Sequence, residues 1–116
     1  MTTPLRAYVV DDEPLAVKRL CRLLEATGEV VLVGSATDPE AARRFLEEHA
    51  VDVLFLDPPY RERWPERLEP WLDRLVRPEG AIYLEAEHEI ETLGAWHTVK
   101  RGRAGQVHYH LLERSP

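Results

Sequence analysis

Two short apolar runs, each closed by aspartate and followed by a helix signal, constrain this chain more tightly than any other feature. Leu5-Arg6-Ala7-Tyr8-Val9-Val10 ends in Asp11-Asp12-Glu13-Pro14, and residues 51–56 end in Asp57-Pro58-Pro59-Tyr60. A third run, Val30-Val31-Leu32-Val33, has no polar residue at all. Strands without polar alternation are those buried on both sides, which points to a parallel sheet between layers of helices. The intervening segments agree. Pro14 suits a first helical turn, where its missing N–H costs nothing. Ala16, Leu20, Leu23, Leu24 and Thr27 then mark one face before Gly28 stops the helix. Asp38 is the N-cap of a second helix, with Pro39 in its first turn and Ala41, Ala42, Phe45 and Leu46 as its stripe.

Beyond Asp57, the spacing of Leu68, Trp71, Leu72, Leu75 and Val76 predicts a third helix over residues 65–76. Pro78-Glu79-Gly80 turns the chain into a fourth strand, 81–85. Segments 95–101 and 106–113 face each other across Gly102-Arg103-Ala104-Gly105, as in a β-hairpin. The sum is a three-layer, doubly wound α/β fold, flavodoxin- or Rossmann-like. Its mostly parallel sheet should run 2-1-3-4-6-5 with strand 6 antiparallel, all within one domain, residues 1–116.

Charge and composition narrow the function classes. With 21 acidic against 15 Lys and Arg side chains, the net charge is -6, which argues against nucleic-acid partners. No run approaches the roughly 20 apolar residues of a membrane span, and Met-Thr-Thr-Pro-Leu-Arg lacks a secretory apolar core. The lone Cys21 excludes an internal disulfide and a cysteine zinc site, and suits the cytoplasm. His108 and His110 share one strand face and read as solvated rather than metal-binding. The local basic set Lys100, Arg101, Arg103 and Arg114 reads as a solvated hairpin, and Trp64, Trp71 and Trp96 as packing residues.

Ligands of open parallel sheets bind at the carboxyl ends of the strands. Asp11, Asp12 and Asp57 sit there, and they converge if strands one and three are neighbours. Such a cluster is costly unless a divalent cation such as Mg²⁺ neutralises it. With Tyr8-Val9-Val10-Asp11-Asp12-Glu13-Pro14-Leu15-Ala16 and Asp52-Val53-Leu54-Phe55-Leu56-Asp57, the chain resembles the first half of a response-regulator receiver domain. The branch is the one that drives LytTR-type DNA-binding domains. The resemblance implies that Asp57 is the phospho-acceptor and that Asp11, Asp12 and Asp57 hold Mg²⁺. Later receiver features are absent. Glu85-Ala86-Glu87 stands where a small hydroxyl residue belongs, and Lys100 precedes Arg101 instead of proline.

From Asp57 onward a different resemblance takes over. Asp57-Pro58-Pro59-Tyr60 resembles the signature of amino-group methyltransferases. Residues 80–85 and 104–109 are similar to the C-terminal half of bacterial 16S ribosomal RNA guanine-N2 methyltransferases. That resemblance implies that the aspartate and a backbone carbonyl accept hydrogen bonds from the target amino group, while the aromatic residue stacks on a flipped-out base. The cofactor half departs from the pattern. Asp11-Asp12-Glu13 occupies the turn where glycines belong, and Gly34-Ser35 ends strand two where an acidic ribose ligand belongs.

These readings combine into one expectation: a chimera, engineered by recombination, with residues 1–57 receiver-like and 58–116 methyltransferase-like. It would carry a vestigial acidic site, no evolved catalytic activity and no S-adenosylmethionine binding, with Mg²⁺ the one cofactor in view. Sheet or helix faces left bare by the missing parental segments would favour self-association. The rival readings are a receiver module in a phosphorelay and an S-adenosylmethionine-dependent ribosomal RNA guanine-N2 methyltransferase.

Overall fold

Each apolar run becomes a strand, and each proline-opened segment a helix. The computed structural model describes residues 3–57 and 63–115. Strand β1 (Leu5–Asp11) leads into α1 (Pro14–Thr27), with Pro14 in its first turn. Gly28 ends α1 at φ 72°, a left-handed position that glycine adopts without a Cβ penalty. Strand β2 (Val30–Ala36) precedes α2 (Pro39–Leu46), whose Asp38 cap accepts the Ala41 N–H at 2.8 Å. Strand β3 (Val51–Asp57) follows. Its Asp52 carboxylate accepts the Arg6 backbone N–H at 2.8 Å and pairs with Arg77 at 3.2 Å.

The expected helix over 65–76 is broken. It splits into α3 (Trp64–Leu68), a 3-10 turn over Glu69–Trp71 and α4 (Leu72–Leu75). Pro70 is the physical cause, because it has no N–H to give the turn before it and its ring crowds the carbonyl four residues back. Strand β4 (Val76–Ala86) starts earlier than expected. Val76 pairs with Val51, and after a register shift Ala81 pairs with Val53, so residues 77–80 bulge out of the ladder. A two-residue edge strand, β5 (Thr92–Leu93), precedes the hairpin of β6 (Trp96–Ala104) and β7 (Val107–Arg114).

The sheet has seven strands in the order β2-β1-β3-β4-β7-β6-β5. Strands β1 to β4 are parallel, and β7 runs antiparallel to β4. The flavodoxin-like order of six strands is therefore corrected. Two residues are too few to show a period, so the edge strand left no pattern in the sequence.

Helices α2, α3 and α4 share one face of the sheet. Ala42, Leu46, Trp64, Leu68, Leu72 and Leu75 pack there against Tyr8, Val10, Leu54, Leu56, Ile82 and Leu84. Helix α1 lies on the other face, over β1 and β2, where it buries Ala7 and Val9. Crossovers that step to opposite edges of a sheet put their helices on opposite faces when both are right-handed. Among the described residues, no helix is long and apolar enough to cross a membrane.

Candidate functional site

Parallel pairing brings the acidic strand ends together. Asp11 and Asp57 are direct partners in the β1–β3 ladder. One strand further, Phe55 is level with Tyr83, which extends the row to Glu85 of β4, and Glu85 in turn pairs with Tyr109 of β7. Period-two alternation puts Asp11, Asp57, Glu85 and Tyr109 on the same face as α1. Asp11 is 5% exposed, and its carboxylate accepts the Glu13 N–H at 2.9 Å. It therefore shapes the turn into α1 as well as belonging to the cluster. Asp12 is exposed beside it.

The electrostatics follow from this crowding. Asp57 is pushed up to about 7 by burial, then by the charges of Glu85 and Asp11, its hydrogen bond with Asp11, and Asp12. Burial and then Asp11 raise Glu85 as well, and the same two causes raise Asp12. Tyr83 reaches about 12 through burial and the neighbouring Glu85, Asp57 and Tyr109. This row accepts hydrogen bonds and attracts cations, and it repels anions.

The expected trio comes together only in part. Asp11 and Asp57 adjoin, yet among the described residues no group of three or more His, Cys, Asp or Glu side chains is disposed to hold a metal ion. The magnesium expectation thus has no assembled cage to rest on, and no chemical step is derived through it. Pro58, Pro59 and Tyr60 of the methyltransferase signature lie outside the described residues. Glu85 and Tyr83 were missed as members of the cluster; the β3–β4 ladder, in which Phe55 pairs with Tyr83 and Leu56 with Leu84, is what sets Glu85 level with Asp57.

Two expectations about the hairpin also change. His110 is not solvated. It is 1% exposed, its Nε2 accepts the Ile90 N–H at 3.0 Å, and its Nδ1 donates to the Leu84 carbonyl at 3.1 Å. The signal was present in the sequence, since His110 shares its strand face with Leu112. Part of the basic set is neutralised: Arg101 pairs with Glu91 and Arg114 with Asp73. Trp64 and Trp96 are buried in the core, with the Trp96 indole N–H on Asp73 at 3.0 Å, and Trp71 lies under Arg43 and Arg74.

Comparison with known proteins separates the rival readings. The profile of the family described as Conserved hypothetical protein 95 matches residues 4–113. The ribosomal protein L11 methylase of Lactobacillus delbrueckii subsp. bulgaricus shares the fold. Its TM-score is 0.72 at 14% identity, covering 100% of this chain and 73% of that one. Escherichia coli yhhF, a provisionally named methyltransferase, gives a TM-score of 0.61 at 21% identity, covering 98% and 79%. The sensory transduction protein LytT of Bacillus anthracis is 45% identical over 53 residues, which is 46% of this chain. The matched stretch is only 22% of the length of such response-regulator relatives.

These findings correct the functional expectations. The family profile runs across the supposed seam at Asp57, and the receiver similarity is a short partial match. The engineered chimera and the phosphorelay fall on that ground. The expected lack of enzymatic activity and of S-adenosylmethionine binding is overturned by a family match over residues 4–113 and a fold shared with methyltransferases. Both expectations rested on two local features, the turn after β1 and the Gly34-Ser35 stretch of strand two, whereas membership of a fold family is written across the whole sheet. The argument against nucleic acid fails for a related reason: a net charge says nothing about a local substrate site.

Proposed function

The chain belongs to the Conserved hypothetical protein 95 family, and from that footing we propose that it is an S-adenosylmethionine-dependent methyltransferase-type domain. Its target is the guanine N2 amino group of ribosomal RNA, and its setting is the cytoplasm. The observation that carries this reading is the family match over residues 4–113, which reaches every strand of the sheet. The resemblance of residues 57–60, 80–85 and 104–109 supplies the substrate class.

The donor set suits one end of the cofactor. S-adenosylmethionine bears an ammonium and a sulfonium, and the Asp11, Asp57 and Glu85 row holds negative charge that raises Asp57 to about 7. When bound, the cofactor supplies an electrophilic methyl group. The chain's own part is to place the acceptor. Ionised Asp57, at the end of β3, accepts a hydrogen bond from the target amino group and turns the nitrogen lone pair outward. Because its carboxyl titrates near neutrality, it can also take up the proton released there.

Calorimetry with S-adenosylmethionine, paired with methyl transfer to small-subunit ribosomal RNA, tests this reading. Saturable heat and transfer that Asp57→Asn abolishes are expected. Absence of saturable heat up to millimolar cofactor overturns it. The receiver-like motif lays magnesium binding on the same carboxylates, and the charge crowded around Asp57 is what supports it. A magnesium titration followed by tryptophan fluorescence decides that point, no shift removing it.

A further inference from the structure

One part of the sheet face that carries α1 has no helix over it among the described residues. On the α1 side, α1 covers β1 and β2. Over β3, β4 and β7 no helix is seated among the described residues, so Val53, Phe55, Tyr83 and Leu111 stay half-buried and Tyr109 is 38% exposed. The surface is continuous: Phe55 pairs with Tyr83 in the ladder, their ring centroids are 5.8 Å apart, and Tyr83 pairs with Leu111. Carboxylates rim it, from Asp57 and Glu85 at one end to exposed Glu113 at the other.

The outer surface of α1 has the opposite character. At about 100° per residue, Leu15, Lys18, Arg19, Arg22 and Leu23 fall on one side, away from buried Val17. Leu15 is 76% exposed and Leu23 61%, the two largest values among the exposed large hydrophobic residues. Between them, exposed Lys18, Arg19 and Arg22 make no ion pair among the described residues. The helix therefore presents leucines with cations, next to a sheet surface that presents aromatics and leucine with carboxylates.

We propose that these two surfaces are halves of one self-complementary contact, through which two copies of the chain associate about a two-fold axis. In that arrangement the α1 of each copy lies over the bare β3–β4–β7 surface of the other. The leucines cover Phe55, Tyr83 and Leu111, while Lys18, Arg19 and Arg22 meet Asp57, Glu85 and Glu113. Each copy thus supplies a second helix on this side of the other, and the symmetry is isologous. Because this contact covers Asp57 and Glu85, it rests on the proposed function in one respect: the associated form is closed to cofactor and RNA, and the separated copies are open to them. An anionic membrane is a poorer occupant, because its phosphates would meet three carboxylates.

Sedimentation velocity of the full chain at low- and high-micromolar concentration tests the contact. A concentration-dependent dimer is expected. Leu15→Glu and Leu23→Glu, both at exposed positions where the monomer keeps its fold, should each weaken association about tenfold or more, the equivalent of one well-buried apolar contact. Arg22→Glu should weaken it too, and Arg22→Glu combined with Glu113→Arg should restore it. A chain that is monomeric at every concentration overturns the proposal. So does a dimer indifferent to the α1 variants, or one that the charge swap fails to rescue.

Discussion

The two faces of one sheet are built from the same strands and end in different states. On the face that carries α2, α3 and α4, Leu54, Leu56, Ile82, Leu84 and Leu112 are 0% exposed. One residue along each of those strands, Val53, Phe55, Tyr83 and Leu111 stay half-buried. Strand sequence does not make the difference, since both sets are mostly apolar. The connections do: among the described residues, three helical segments land on one face and α1 alone on the other. The stabilising core is therefore one-sided, while the acidic row and the aromatic surface occupy the side that folding leaves accessible. Closed-face residues answer for stability and open-face residues for chemistry and contacts.

The sharpest way to break this comparison is to truncate neighbours on opposite faces. Leu84→Ala should cost about 3 kcal/mol in urea unfolding, because it leaves a cavity among Leu56, Ile82 and the α2 and α4 side chains. Leu111→Ala removes the same atoms from a half-open surface and should cost only about 1 kcal/mol. Equal losses would show that the open face is covered in the monomer after all.

His110 supplies the next largest effect, as the buried polar residue of the closed face. Replacing it by leucine keeps the volume and strands two partners, the Ile90 N–H and the Leu84 carbonyl. A loss of about 2 kcal/mol is expected, together with faster amide exchange at Ile90. The acidic segment before β5 is tied to the sheet through that bond. A variant with unchanged exchange at Ile90 would mean that the segment is held by Thr98, whose hydroxyl donates to the Ile90 carbonyl at 2.7 Å.

Much of the first half was legible because each element carried its own stop signal. Pro14, Gly28 and Asp38 bracket α1 and α2 by local chemistry, and the runs ending at Asp11 and Asp57 needed no tertiary information. Their juxtaposition was legible too, as neighbouring parallel strands bring their ends level. The later elements depend on pairing that no short window records. Val76 joins β4 only because Val51 is there to pair with it, and β5 exists only against His97 and Trp96. Pro70 did announce the break in the third helix, but the apolar spacing of Leu68, Trp71 and Leu72 masked it. Glu85 was visible as a residue and not as a site member, because its role comes from lying one strand over from Asp57. The Asp38 cap can be checked directly. Asp38→Ala should cost about 1 kcal/mol, an effect confined to α2 and so to the closed face.

Asp57 gives the effect most confined to one range of pH, and so the most diagnostic dependence on it. Its carboxyl titrates at about 7 in the folded chain against 3.8 for an ordinary aspartate. Between those values the folded state holds a proton that the unfolded chain has released, so stability falls as pH rises through this window and levels off above it. Glu85 on the same face and exposed Asp12 beside Asp11 are both raised and act in the same direction, and Tyr83 adds nothing until strongly alkaline pH. Asp57→Asn removes the largest contributor. The variant should therefore show a shallower decline from pH 4 to 7 and unfold at a higher temperature than the parent at pH 8, with little difference at pH 4. A parent whose stability rises across that interval would mean that a cation neutralises the row in solution, and the open face would then be a charge-compensated site and not a repulsive one.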